Sequence, residues 1–170
     1  PGWDFPGGHR KSGEYACETA EREACEETGL GVRATQKIQS NVFTRFTYLI
    51  KDVTNNPKLL LDELEKINLF LQNRGTKYMC GNEITGLDCS LWPKLQHIRV
   101  AANYFLHLSI PSEFSFLWRY LGAAYQLEAF VKSCPSDQEI ILHWIRREQI
   151  SPKEYLQLTK DEPRFSLSTP

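Results

Sequence analysis

From Lys37 onward the apolar residues recur at helical rather than alternating spacing, and this pattern excludes most folds. Val42, Phe43, Phe46, Leu49 and Ile50 share one side of a 3.6-residue repeat, which stops at Asn55-Asn56-Pro57. Leu60, Leu61, Leu64, Ile67, Leu69, Phe70 and Leu71 define a second helix that closes at Asn73-Arg74-Gly75. Phe114, Leu117, Trp118, Leu121, Ala124 and Tyr125 form a further stripe, continued by Leu127, Phe130 and Val131 up to Cys134-Pro135. Asp137 to Arg147 reads as a last helix, and the proline-interrupted segment from Ser151 as a loosely ordered tail. With no strand of convincing length, the expected fold is mainly α, a helical bundle.

The clearest helix start is Thr85-Gly86-Leu87-Asp88. Thr85 stands at N-cap and Asp88 at N3, the spacing of a capping box in which each side chain serves a backbone N–H that the first turn leaves free. Thr85 and Asp88 are therefore structural residues. The helix is expected to run to about Tyr104, with a kink at Pro93, where one i to i−4 bond is lost.

Ahead of this body lies an acidic segment of different character. Gly8 and Glu14 precede Arg22-Glu23-Ala24-Cys25-Glu26-Glu27-Thr28-Gly29-Leu30. On a helix Glu23, Glu26 and Glu27 fall at i, i+3 and i+4, where like charges repel by a few tenths of a kcal/mol per pair. A hard divalent cation reverses that sign, because Mg²⁺ or Mn²⁺ takes carboxylate and phosphate oxygens together. Glu14 can join the same cluster, and Arg22 can fix a carboxylate rotamer through its planar fork.

Composition narrows the classes. Net charge is −1 over 170 residues, so there is no basic stripe for a general nucleic-acid binder. The first 36 residues carry net −3 and the remainder +2. No apolar run reaches the length of a membrane span and no secretory leader is evident. The five cysteines lack CxxC spacing, which points to reduced thiols and a cytoplasmic location. Cys80, Cys89 and Cys134 are expected as buried small hydrophobes.

The segment Gly8 to Leu30 closely resembles the Nudix box. The resemblance implies a loop-helix-loop with Glu23, Glu27, Glu26 and Glu14 as ligands of Mg²⁺ or Mn²⁺. Glu26, Glu27 and Arg22 then serve hydrolysis of a nucleoside diphosphate linked to another group. Only seven residues precede the box, and no alternating strands follow Val32, so the family's sheet is expected to be missing.

The remainder resembles a second family. Tyr78-Met79-Cys80-Gly81-Asn82-Glu83-Ile84-Thr85-Gly86-Leu87-Asp88-Cys89-Ser90-Leu91-Trp92-Pro93-Lys94-Leu95 looks like the signature of chloride intracellular channel proteins. Ile110-Pro111, Trp118-Arg119-Tyr120-Leu121 and Ser133-Cys134-Pro135-Ser136-Asp137 continue the likeness over roughly residues 37–160. This implies the all-helical C-terminal domain of the glutathione-transferase fold. The organisation expected is a Nudix-box fragment over 1–36, the helical domain over 37–150 and the tail over 151–170. The family's redox cysteine motif and membrane-inserting segment lie in a thioredoxin-like half that residues 1–36 replace, so no glutathione site is expected. The resemblance implies a membrane or protein partner for the helical domain, and a chloride-channel or membrane-associated role.

Overall fold

The computed structural model describes residues 32–52, 56–145 and 152–170, and among these the regular elements are all α-helices. They are α1 (Val32–Lys51), α2 (Lys58–Arg74), α3 (Gly86–Leu106), α4 (Ser115–Tyr125), α5 (Glu128–Ser133), α6 (Asp137–Ile145) and α7 (Pro152–Lys160). The mainly α, glutathione-transferase-type bundle read from the sequence is the fold observed. Helix α1 begins at Val32, ahead of the boundary expected between residues 36 and 37.

Each helix buries the stripe that its sequence supplies. Helix α1 turns Val42, Phe46, Leu49 and Ile50 inward, and α2 turns Leu60, Leu64, Ile67 and Leu71 inward. Leu69, although apolar, faces solvent because it lies on the far side of the α2 repeat. Helix α2 stops at Gly75, whose φ of 66° is the left-handed conformation a residue without Cβ adopts at low cost. Its N–H returns to the Leu71 carbonyl.

Helix α3 is the centre of the bundle, with Leu91, Trp92, Leu95, Ile98, Ala101 and Ala102 buried. It packs on α1, α4 and α6, while α1 packs on α2, α2 on α4 and α6 on α7. Pro93 lies inside the continuous helix. At the other end His107 takes the left-handed conformation, and the Leu108 N–H returns to the Ala102 carbonyl at 3.2 Å, which closes the helix. The α1–α6 seam is aromatic: Trp144 meets Phe46 edge-on at 4.9 Å and Phe43 at 6.0 Å between ring centroids.

Two helix starts are capped in ways the apolar pattern did not reveal. Phe114, at the N-cap of α4, offers no capping side chain. Asn68 of α2 supplies the cap instead, its Oδ1 accepting the Phe116 and Leu117 N–H groups at 3.0 and 3.1 Å. Helix α6 starts with a second capping box, Ser136 to Glu139. Glu139 Oε2 accepts from the Ser136 N–H (2.8 Å) and hydroxyl (2.9 Å), and the Glu139 N–H donates back to Ser136 Oγ. These donors hold the Glu139 carboxyl below its ordinary range.

The C-terminal segment departs from the loose tail expected of it. Residues 152–160 form α7, with Leu158 buried, and residues 162–168 are bonded to α3 and α6 along their backbone. These bonds run to the main chain, which hydropathy does not report. The three described cysteines also differ from expectation: Cys89 is exposed, Cys80 and Cys134 half-buried. Cys89 follows Asp88 by a single residue, and the 100° turn of the helix carries it off the inward face.

Candidate functional site

The most densely bonded polar group in the described body is the Asp88 carboxylate, which has no exposed surface. Oδ1 accepts from the Met79 N–H and the Tyr120 hydroxyl, each at 2.9 Å. Oδ2 accepts from the Thr85 N–H at 2.9 Å and the Thr85 hydroxyl at 2.7 Å. Thr85 and Asp88 thus form the capping box read from the sequence. Met79 and Tyr120 join it from the preceding loop and from α4.

Four donors on one buried carboxylate leave little room for a substrate. Burial, and then the neighbouring Asp88 charge, push the Tyr120 hydroxyl far above its ordinary range, so it remains a donor at any physiological pH. Cys80 stands close by, and burial raises its thiol despite a hydrogen bond with Thr85. The cluster does structural chemistry: it locks the loop before α3, the first turn of α3 and the middle of α4 into one unit.

Concave features lie elsewhere on the described body. A cleft of about 770 Å³ lies beside α4, with Lys77, Asn82, Trp118, Arg119 and Gln126 in its wall. A second, of about 480 Å³, is lined by Arg99, Asn103, Tyr104, Asp137 and Arg164. A third, of about 270 Å³, sits between α1 and α2, with Arg45, Tyr48 and Leu59 at its rim. Tyr48 and Leu59 are 58% and 48% exposed.

The sequence-derived metal and catalytic residues Glu14, Arg22, Glu23, Glu26 and Glu27 lie outside the described residues. Among the described residues no cluster of three or more His, Cys, Asp or Glu is placed to hold a metal ion, and no helix is long and apolar enough to cross a membrane.

Comparison with known proteins separates the two parts of the chain. The NUDIX domain profile matches residues 1–74, and the profile of the glutathione S-transferase C-terminal domain matches residues 59–123. Over 132 residues the chain is 39% identical to Chloride intracellular channel Clic of Drosophila melanogaster, covering 76% of this chain and 50% of that protein. It is 36% identical over 131 residues to Chloride intracellular channel exl-1 of Caenorhabditis elegans, covering 75% of this chain and 55% of that protein. The crystal structure of the CLIC homologue EXC-4 from C. elegans superposes with a TM-score of 0.74 at 26% identity, over 90% of this chain and 66% of that one.

The protein is chloride-intracellular-channel-like. Its helical body is the glutathione-transferase-type C-terminal domain, and the chain spans about half the length of the two curated relatives. Where the NUDIX match runs past the box, over residues 32–74, the described chloride-intracellular-channel-like structure is the helices α1 and α2 rather than strands.

The residues that sequence reasoning missed belong to this body. Ser136 and Glu139 carried a readable signal, the S-x-x-E spacing. Asn68 and Tyr120 carried none, since their partners lie 48 and 32 residues away.

Proposed function

We propose that this chain is a cytoplasmic binding protein of the chloride-intracellular-channel type that associates peripherally with anionic membrane surfaces. The observation that supports it is the rim between α1 and α2, where exposed Tyr48 and Leu59 stand beside Arg45. Lys51 extends the basic character, lying over the Tyr48 ring at 6.0 Å. Apolar side chains that enter the headgroup boundary, flanked by cations that meet anionic lipid, make a surface anchor rather than a span. The redox chemistry of the wider fold is not part of this role, and no glutathione site is assigned.

The test is co-sedimentation of the full chain with vesicles of phosphatidylcholine containing about a third phosphatidylserine, against pure phosphatidylcholine. Binding to the anionic vesicles that weakens in Tyr48→Ser/Leu59→Ser supports the reading. Equal binding to both vesicles, or none, overturns it. The two relatives are named chloride intracellular channels, and chloride conductance by this chain is tested by applying the same protein to planar bilayers.

A second reading has its own support in the NUDIX match over residues 1–74. In it Glu23, Glu27, Glu26 and Glu14 hold Mg²⁺ or Mn²⁺, and the chain hydrolyses nucleoside diphosphate derivatives. Incubation with Mg²⁺ and a panel of such compounds decides it. Turnover lost in Glu27→Gln sustains the hydrolase reading; identical background in both proteins ends it.

A further inference from the structure

The segment after α7 buries little apolar surface and is held in another way. Every main-chain hydrogen bond that residues 162–168, the strap, make with α3 and α6 falls on an even-numbered residue. Gln138 Nε2 donates to the Glu162 carbonyl (2.7 Å), and the Arg164 N–H donates to Gln138 Oε1 (2.9 Å). The Asp137 N–H donates to the Arg164 carbonyl (2.8 Å). The Ser166 N–H and hydroxyl donate to the two oxygens of Asp137 at 3.0 and 2.7 Å. Gln96 and Arg99 donate to the Ser166 carbonyl at 3.1 and 2.8 Å, and the second arm of Arg99 reaches the Ser168 carbonyl at 2.6 Å.

A period of two is that of an extended strand. Here side chains of α3 and α6 take the place of a neighbouring strand. The reader is pre-set: the Arg99 guanidinium lies over the rings of Trp118 (5.1 Å) and Tyr125 (5.4 Å) and donates to the Tyr125 hydroxyl at 2.9 Å. Only one strap side chain, Ser166, is recognised by a hydrogen bond from its own hydroxyl. Phe165, by contrast, is 51% exposed. Retention therefore rests on exchangeable polar bonds rather than on buried apolar area.

We propose that the face built by Gln96, Arg99, Asp137 and Gln138 is a receptor for an extended peptide of a partner protein, and that residues 162–168 are its built-in competitor. The peptide it fits is extended, presents carbonyls at positions i and i+2 to the Arg99 fork, and carries an unmodified serine at i opposite Asp137. A phosphate on that serine would face the Asp137 carboxylate and is excluded by charge. The two clefts of about 770 and 480 Å³ both have Trp118 and Pro170 in their walls, so the incoming peptide has room beyond the strap on either side.

The experiment uses the full chain and a fluorescein-labelled decapeptide of residues 161–170, without vesicles, so that it fails or succeeds independently of membrane binding. In Ser166→Pro the chain's own strap loses both bonds to Asp137. That variant is expected to bind the decapeptide about tenfold more tightly than wild type, because the competent state is no longer taxed by the internal segment. Arg99→Ala in the same background, or phosphoserine in the peptide, is expected to remove that gain. In unaltered protein, excess unlabelled decapeptide is expected to speed exchange of the Arg164 and Ser166 amides. Equal affinity for wild type and Ser166→Pro, no binding to either, or unchanged amide exchange overturns the proposal.

Discussion

Tyr120 of α4 donates its hydroxyl to Oδ1 of Asp88 in α3 at 2.9 Å, across 32 residues of sequence and with both groups buried. Removing the carboxylate strands the Met79 and Thr85 N–H groups as well as the Tyr120 hydroxyl. Asp88→Ala is therefore expected to cost about 3–5 kcal/mol in urea unfolding, and Tyr120→Phe about 1–2 kcal/mol. The double variant should cost less than the sum, since the two changes share one bond.

Asn68 caps a helix other than its own. Asn68→Ala should cost about 1–2 kcal/mol by chemical denaturation, because Phe114 provides no local substitute for the lost acceptor. Asn68→Asp keeps an acceptor at the positive end of α4 and should lose less than Asn68→Ala.

The bond from the Trp144 indole N–H to His97 Nδ1 (3.0 Å) requires a neutral imidazole. Burial, and then His143, hold the His97 pKa below its ordinary 6.5. The folded state therefore binds its proton less readily than the unfolded chain. The stabilisation is complete above about 6.5 and is lost as pH falls through the lower folded value. Unfolding midpoints compared at neutral and mildly acidic pH should fall in wild type, and fall less in His97→Gln. A wild type with no greater acid sensitivity than the variant would refute the assignment.

Thiol labelling should follow exposure. Among Cys80, Cys89 and Cys134, the exposed Cys89 is expected to react first with iodoacetamide. Cys80 and Cys134 should lag because burial raises both thiols and lowers their thiolate fraction. Peptide mapping by mass spectrometry at short labelling times reads the order directly.

A folded chain carries a matching prediction at its second capping box. Ser136→Ala should cost about 1 kcal/mol, similar to Thr85→Ala, since each removes one hydroxyl partner from a helix start.

What was legible in the sequence was local. Val42, Phe46, Leu49 and Ile50 announced a buried face because their spacing follows the helical repeat, and Thr85 and Asp88 announced a helix start because their partners lie three residues away. Tyr120, Asn68 and Arg99 were silent, because what each holds is brought near only by packing of separate helices. The strap was misjudged for a related reason. Glu162-Pro163-Arg164-Phe165-Ser166 has no periodic apolar face, and a segment held by its backbone leaves no trace in side-chain pattern. Glu14, Arg22, Glu23, Glu26 and Glu27 remain a sequence reading, since they lie outside the described residues.

The central placement of α3 has a dynamic corollary. With α1, α4, α6 and the strap all leaning on it, no single neighbour can detach and expose its middle. The amides from Leu95 to Ala101 should meet solvent deuterium only when the whole bundle comes apart, which makes them the natural clock for its lifetime.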